Sequence, residues 1–122
     1  DAELPFHLAY DKDGNFIGAA VETFTNKGFS GNISLMVGIL ADGTVNNISV
    51  LQHAETPGLG SKMSEPSFKD QFNNKHADSF NFNVKKDGGD VDAITAATIS
   101  SRAFCDAVNR AISTFENNKG GF

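Results

Sequence analysis

Two Asp-Gly pairs, each set between runs of β-prone residues, constrain this chain more than any other feature. Lys12-Asp13-Gly14-Asn15 separates Phe6 to Tyr10 from Phe16 to Phe24, and Ala41-Asp42-Gly43-Thr44 separates Ile33 to Leu40 from Val45 to Gln52. Glycine takes positive φ without a Cβ penalty, so a pair of this kind between apolar, branched segments predicts a tight antiparallel hairpin. Lys27-Gly28-Phe29-Ser30-Gly31 joins the two hairpins as a looser connection. The first half is therefore expected to be a four-strand meander.

The pattern then changes. His53 to Met63 reads as loop, and Ser64-Glu65-Pro66 opens a short helix to about Phe72, with Ser64 as N-cap and proline in the first turn, where its missing N–H is tolerated. Phe80-Asn81-Phe82-Asn83-Val84 alternates with period two and predicts a fifth strand, closed by Lys86-Asp87-Gly88-Gly89. From Thr98 to Phe115 the apolar positions Ile99, Ala103, Phe104, Ala107, Val108, Ala111, Ile112 and Phe115 recur at three- and four-residue steps, which predicts a long helix with one buried face. The tail from Asn117 to Gly121 is expected to stop that helix and fray. The fold class that results is α+β: an antiparallel meander of about five strands packed against a short helix and a long C-terminal helix.

At 122 residues, with 39% hydrophobic residues and eleven Phe, the chain suits one domain over residues 1–122 with a single core. The net charge of -5 comes from acids that are scattered, so the clustered Lys and Arg of a nucleic-acid surface are lacking. Cys105 is the single cysteine, which excludes an intrachain disulfide and a thiolate metal cluster and leaves the redox compartment open. Leu35 to Ala41, the longest apolar run, falls far short of the roughly 20 residues of a membrane-spanning helix.

Asp92-Ala93-Ile94-Thr95-Ala96-Ala97-Thr98-Ile99-Ser100-Ser101 sets hydroxyls among small residues where the long helix begins. A helix N-terminus offers unpaired N–H groups and about half a positive charge, so it suits a phosphate. Thr98 sits at that end, Ala96 and Ala97 keep the approach open, Thr95 precedes them, and Ser100 and Ser101 add first-turn hydroxyls able to reach phosphate oxygens. The plainer alternative makes Thr98 an ordinary N-cap. Upstream, Glu55-Thr56-Pro57-Gly58-Leu59-Gly60 combines two glycines that admit a flat ligand, a stiffening proline and an apolar leucine; the plainer alternative is a Pro-Gly turn.

The decapeptide resembles the flavinylation motif of the FMN-binding domain shared by the G subunit of the Rnf electron-transport complex and the C subunit of the sodium-translocating NADH:quinone reductase. The hexapeptide is similar to that family's Glu-Thr-Pro-Gly-Leu-Gly loop at all six positions. The resemblance implies FMN held on Thr98 through a phosphoester, with Thr95, Ala97, Ile99, Ser100 and Ser101 around it and the loop from Glu55 to Gly60 against the isoalloxazine ring. It implies that Asp92 is recognised by a separate flavin transferase that uses FAD and magnesium, although Asp92 also reads as a solvated turn acid. Ala96 departs from the family's usual glycine, at a cost of order 1 kcal/mol if its φ is positive. Further implications are an N-terminal membrane helix preceding this chain, other subunits of an ion-pumping redox complex as partners, and a place on the external, periplasmic face of the inner membrane.

Asp11-Lys12-Asp13-Gly14-Asn15 has the opening of a calcium loop, but its glycine comes two places early and no closing glutamate follows. No metal site, Gly-x-Ser-x-Gly elbow or dinucleotide fingerprint is expected. Phe68, Phe72, Phe80 and Phe82 read as core, with a flavin border as the alternative, and Cys105 reads as a small buried residue, with sulfur near a flavin as the alternative. Three functions stay open: a one-flavin electron carrier of the Rnf type, the same chemistry in the quinone reductase, and an exported non-redox binding domain in which Thr98 is only a cap.

Overall fold

A computed structural model describes residues 4–119. Four strands, β1 (Phe6–Tyr10), β2 (Phe16–Gly28), β3 (Gly31–Leu40) and β4 (Val45–Gln52), form one antiparallel sheet in chain order. Both Asp-Gly turns occur as read, with Gly14 at φ 85° and Gly43 at φ 94°. The aspartate that starts each turn caps it: Asp11 accepts from the amides of Asp13 and Asn15, and Asp42 from that of Thr44. These amide bonds hold both carboxyls below the usual carboxylate range.

The middle connection is tighter than its composition indicates. β2 runs to Gly28 and β3 starts at Gly31, leaving Phe29 and Ser30 as a two-residue turn. A Cβ on Gly28 would collide with the Gly31 carbonyl, so this close approach requires glycine.

One face of the sheet carries Ala19, Val21, Thr23 and Thr25 of β2 and Ile33, Leu35, Val37 and Ile39 of β3, all buried. Helix α2 (Thr98–Asn118) lies on that face, burying Ala103, Phe104, Ala107, Val108, Ala111 and Phe115. The helical periodicity is thus confirmed, and α2 continues three residues beyond Phe115. Asn117 and Asn118 are helical because Asn118 Nδ2 donates to the Thr114 carbonyl one turn back, satisfying an end that composition marked as a stop. Gly120 and Gly121 lie outside the described residues.

Two polar bonds seat α2 on β2. Thr23 Oγ1 donates to the Ala107 carbonyl and Thr25 Oγ1 to Asp106 Oδ2, both at 2.8 Å. No helix among the described residues is long and apolar enough to cross a membrane.

Between β4 and α2 the chain makes single turns. Helix α1 is one turn, Pro66–Lys69, preceded by the 3-10 turn Gly60–Ser64 and followed by another at Asp70–Phe72. Ser64 is therefore not the N-cap. Pro66 occupies the first helical position and holds the residue before it extended, so the cap position falls to Glu65, at φ -82°, ψ 143°.

The expected fifth strand is also absent among the described residues. Phe80 to Val84 buries alternate side chains as its period predicts, with Phe82 3% and Val84 1% exposed, but no neighbouring strand pairs with it. Its polar groups close a local loop instead: the Asn81 carbonyl accepts from Asp90 N and the Asn83 carbonyl from Val91 N, with a lone bridge between Val84 and Val91. Alternation records which side chains meet a core; it does not say whether a partner strand exists.

Phe68, Phe72, Phe82 and Phe104 meet beneath this region. Phe104 lies 5.0 Å, ring centre to ring centre, from both Phe68 and Phe72, and Phe72 stacks on Phe82 at 6.1 Å. Phe80 is partly buried against the same cluster. These aromatics are core. The expected α+β class holds, with four strands in place of five.

Candidate functional site

The sheet and α2 bring the two sequence motifs into contact at one end of the helix. Thr98 is the first helical residue, and Ala97, at φ -138°, ψ 48°, precedes it without a side chain able to cap. The first helical amide to find a main-chain acceptor one turn back is that of Ser101, which bonds the Ala97 carbonyl at 3.0 Å. The amides of Thr98, Ile99 and Ser100 precede any intrahelical acceptor. They form a bare, positively polarised helix end. Thr98 is not a cap either: its hydroxyl bonds to no group among the described residues.

Against this end lies a cavity of about 350 Å³, within the range of small-molecule sites. Ala96, Ala97, Thr98, Ile99 and Ser100 supply one wall; Thr56, Leu59 and Gly60 supply the second. Phe29, from the β2–β3 turn, completes it. Three large apolar side chains converge there while staying exposed: Phe29 at 67%, Ile99 at 49% and Leu59 at 39%. An apolar hollow ending on a free hydroxyl and unpaired amides fits a ligand with a flat ring at one end and a phosphate at the other. None of its lining residues is a base.

The walls are held by packing and buried polar bonds. Gly60 is required at its position because a Cβ would strike Ser100 Oγ and come within 2.7 Å of Glu55 Cβ. Ser100 Oγ donates to Glu55 Oε1 at 2.5 Å, whereas Ser101 Oγ donates to the Ala97 carbonyl and accepts from Ile94 N. Both serine hydroxyls, which the sequence offered to phosphate, are thus engaged inside the fold. Ser101 is fully buried and does not line the cavity.

Other residues of the two motifs also stand apart from the lining. Thr95 is exposed beside it, and Pro57 and Gly58 form the outer bend of their loop. Glu55, 4% exposed, lies behind the wall and accepts from the amides of Phe29 and Ser30, each at 2.8 Å. Asp92 is exposed, pairs with Lys85 at 2.8 Å, and has its main chain held by the Gln71 amide on both its N–H and its carbonyl. Phe29 is the lining residue that sequence reasoning missed; a bulky aromatic on a hairpin turn between two glycines was its only local signal.

Ala96 adopts φ 61°, the left-handed region that the family's usual glycine enters freely. Ala96→Gly is expected to raise unfolding stability by about 0.5–1 kcal/mol, the relieved strain less the extra entropy of the unfolded chain. Urea denaturation checks this; an unchanged or lowered midpoint would show that alanine carries no strain there.

A larger groove, about 450 Å³, lies on the other flank of Ile99, but it is the weaker candidate. Its charges neutralise one another: Arg102 grips Asp87 with two 2.8 Å bonds and Lys27 pairs with Asp106 at 3.6 Å. Cys105 borders it with its thiol pushed up to about 12 by burial and, secondarily, by Asp87, and so protonated and inert at neutral pH.

Comparison with known proteins places the chain in a family. The chain is similar to the G subunit of the ion-translocating oxidoreductase complex of Shewanella baltica, 40% identical over 98% of this chain and 58% of the relative. It is also similar to the protein of the same name from Methanosarcina acetivorans, 38% identical over 94% of this chain and 60% of the relative. The chain spans under two thirds of the length of these relatives. Among solved structures, the C subunit of the Na(+)-translocating NADH-quinone reductase of Parabacteroides distasonis superposes with a TM-score of 0.74 at 22% identity, covering 95% of this chain and 62% of that one. NqrC of Shewanella oneidensis superposes with a TM-score of 0.68, also at 22% identity, over 96% of this chain and 61% of that one; both likenesses speak to the fold alone. The FMN-binding domain model matches residues 28–113, from the turn that carries Phe29 well into α2, and the chain belongs to the FMN-binding domain family.

Proposed function

We propose that this domain carries one FMN covalently, as a phosphoester on Thr98 Oγ1, and passes electrons within an ion-translocating oxidoreductase complex of the Rnf type, as its G subunit. The observation that carries the reading is the unpartnered Thr98 hydroxyl at an uncapped helix end, opening into an apolar hollow, in a chain of an FMN-binding family. The first-turn amides of Thr98, Ile99 and Ser100 would face the phosphate; Phe29, Leu59 and Ile99 would border the ring. When bound, the flavin supplies the redox chemistry, and the protein supplies position, dielectric and exclusion of water.

The hydroxyl of a threonine is a poor nucleophile without an adjacent base, and no lining residue of this cavity is one. Self-attachment is therefore disfavoured; the resemblance to the flavinylation motif implies a separate transferase working with FAD and magnesium, for which the exposed Asp92, presented on a main chain fixed by Gln71, would be a recognition point. A covalent bond suits a domain held by a membrane helix on the external face of the inner membrane. There a reversible site would empty by mass action wherever free FMN is scarce. The relatives of the same domain at about 40% identity bear the name of the G subunit, which favours that complex over the quinone reductase.

Co-expression with a flavin transferase of this specificity is expected to give a yellow protein whose mass rises by one FMN less one water. Peptide mapping should place that gain on the segment containing Thr98. A gain located on another peptide, or none with an active transferase, would sink the proposal.

A further inference from the structure

We infer that Glu55 is a positioning residue that holds Phe29 as the outer wall of the flavin site. This inference rests on the reading of Thr98 as the attachment point. Glu55 is 4% exposed, and burying a carboxylate is costly unless strong bonds compensate. Its compensation comes from three places: the Phe29 amide on Oε1, the Ser30 amide on Oε2, and the Ser100 hydroxyl on Oε1. Those donors sit 26, 25 and 45 positions away in the chain, and they belong to the hairpin turn and the helix end that wall the cavity. One side chain thus ties both walls to its own loop.

The second observation is Phe29 itself. Its amide is fixed while the residue stays 67% exposed at the cavity, the most exposed large hydrophobic residue among those described. Anchoring the main chain of a turn while leaving its aromatic face uncovered preorganises that face for a flat ligand, since little freedom remains to be lost on contact. Glu55 would then act on the ring through Phe29, without touching it.

Glu55→Gln tests this because an amide cannot replace the carboxylate here. With one oxygen and one NH2 group, glutamine leaves at least one of the two turn amides facing a donor, whichever way it flips. In the flavin-free chain, amide exchange at Phe29 and Ser30 is expected to quicken by roughly tenfold in Glu55→Gln, while Val37 and Ala107 keep their protection. In the flavin-loaded chain, iodide should quench flavin fluorescence about twofold more strongly in Glu55→Gln and in Phe29→Ala, with the double variant no worse than either, as expected of groups acting as one unit. Glu55→Asp, which keeps the charge but draws it back by one methylene, should fall between wild type and Gln.

Unchanged exchange at Phe29 and Ser30 in both Glu55 variants would overturn the inference, and so would unaltered quenching in Phe29→Ala. If the chain takes up no flavin, the attachment reading fails by mass, while the exchange arm still decides whether the clamp exists.

Discussion

Thr98→Ala is expected to yield a folded, colourless protein after co-expression with the transferase, with no mass gain at all. The loss should be complete because the lost oxygen is the atom proposed to be esterified. The fold should not notice: Thr98 is partly exposed at the first position of α2, and its hydroxyl bonds to nothing among the described residues. A change of this kind away from a cap or core contact shifts stability by less than about 0.5 kcal/mol. Thr95→Ala is the control, since Thr95 is exposed, does not line the cavity, and should leave loading intact. Intact-mass spectrometry with in-gel flavin fluorescence reads loading, and thermal unfolding reads the fold. Flavin persisting in Thr98→Ala would remove the assignment, and loss in both variants would point to failed recognition by the transferase.

Phe104→Ala should have the largest effect on stability, a loss of about 3–5 kcal/mol. Its ring is fully buried and faces Phe68 and Phe72 at 5.0 Å each, so truncation forfeits transfer energy and leaves a cavity bounded by rings that cannot all collapse inward. A domain of this size holds only about 5–15 kcal/mol in total, so the variant should melt roughly 10–20 °C lower. Phe29→Ala removes the same group from an exposed position and should move stability by less than about 0.5 kcal/mol. Urea titration of the two variants separates a structural phenylalanine from one that lines an open cavity. Comparable losses would mean that Phe29 is packed in solution.

The consequences of these two substitutions differ because the molecule divides its work. α2 is fastened along its length by Phe104 and by the Thr23 and Thr25 bonds to the helix, while its first turn is left uncapped. Stability is concentrated away from the end proposed to bind. That arrangement lets an anion supply the missing cap, since the unpaired amides of Thr98, Ile99 and Ser100 gain partners only from outside.

Local features were legible from residues alone. The hairpins at Gly14 and Gly43 follow from φ/ψ preferences of two adjacent residues, α2 from a period repeated over five turns, and the strain at Ala96 from one departure in a matched motif. Such signals need no partner elsewhere in the chain. Glu55, Phe29 and the Phe80 to Val84 segment were different. The hairpin turn lines the cavity with its aromatic and is tied to a carboxylate 25 and 26 positions later that accepts its amides. Phe80 to Val84 kept its alternation yet lost its place as a strand, because pairing depends on a neighbour that alternation does not encode. Sequence by itself determined the turns, the helix and the two motifs, since each is set by the conformational preferences of contiguous residues. Tertiary structure alone decided that those motifs share one cavity and that Glu55 stands behind its wall, since hydrogen bonds between distant segments exist only once packing has brought them within reach.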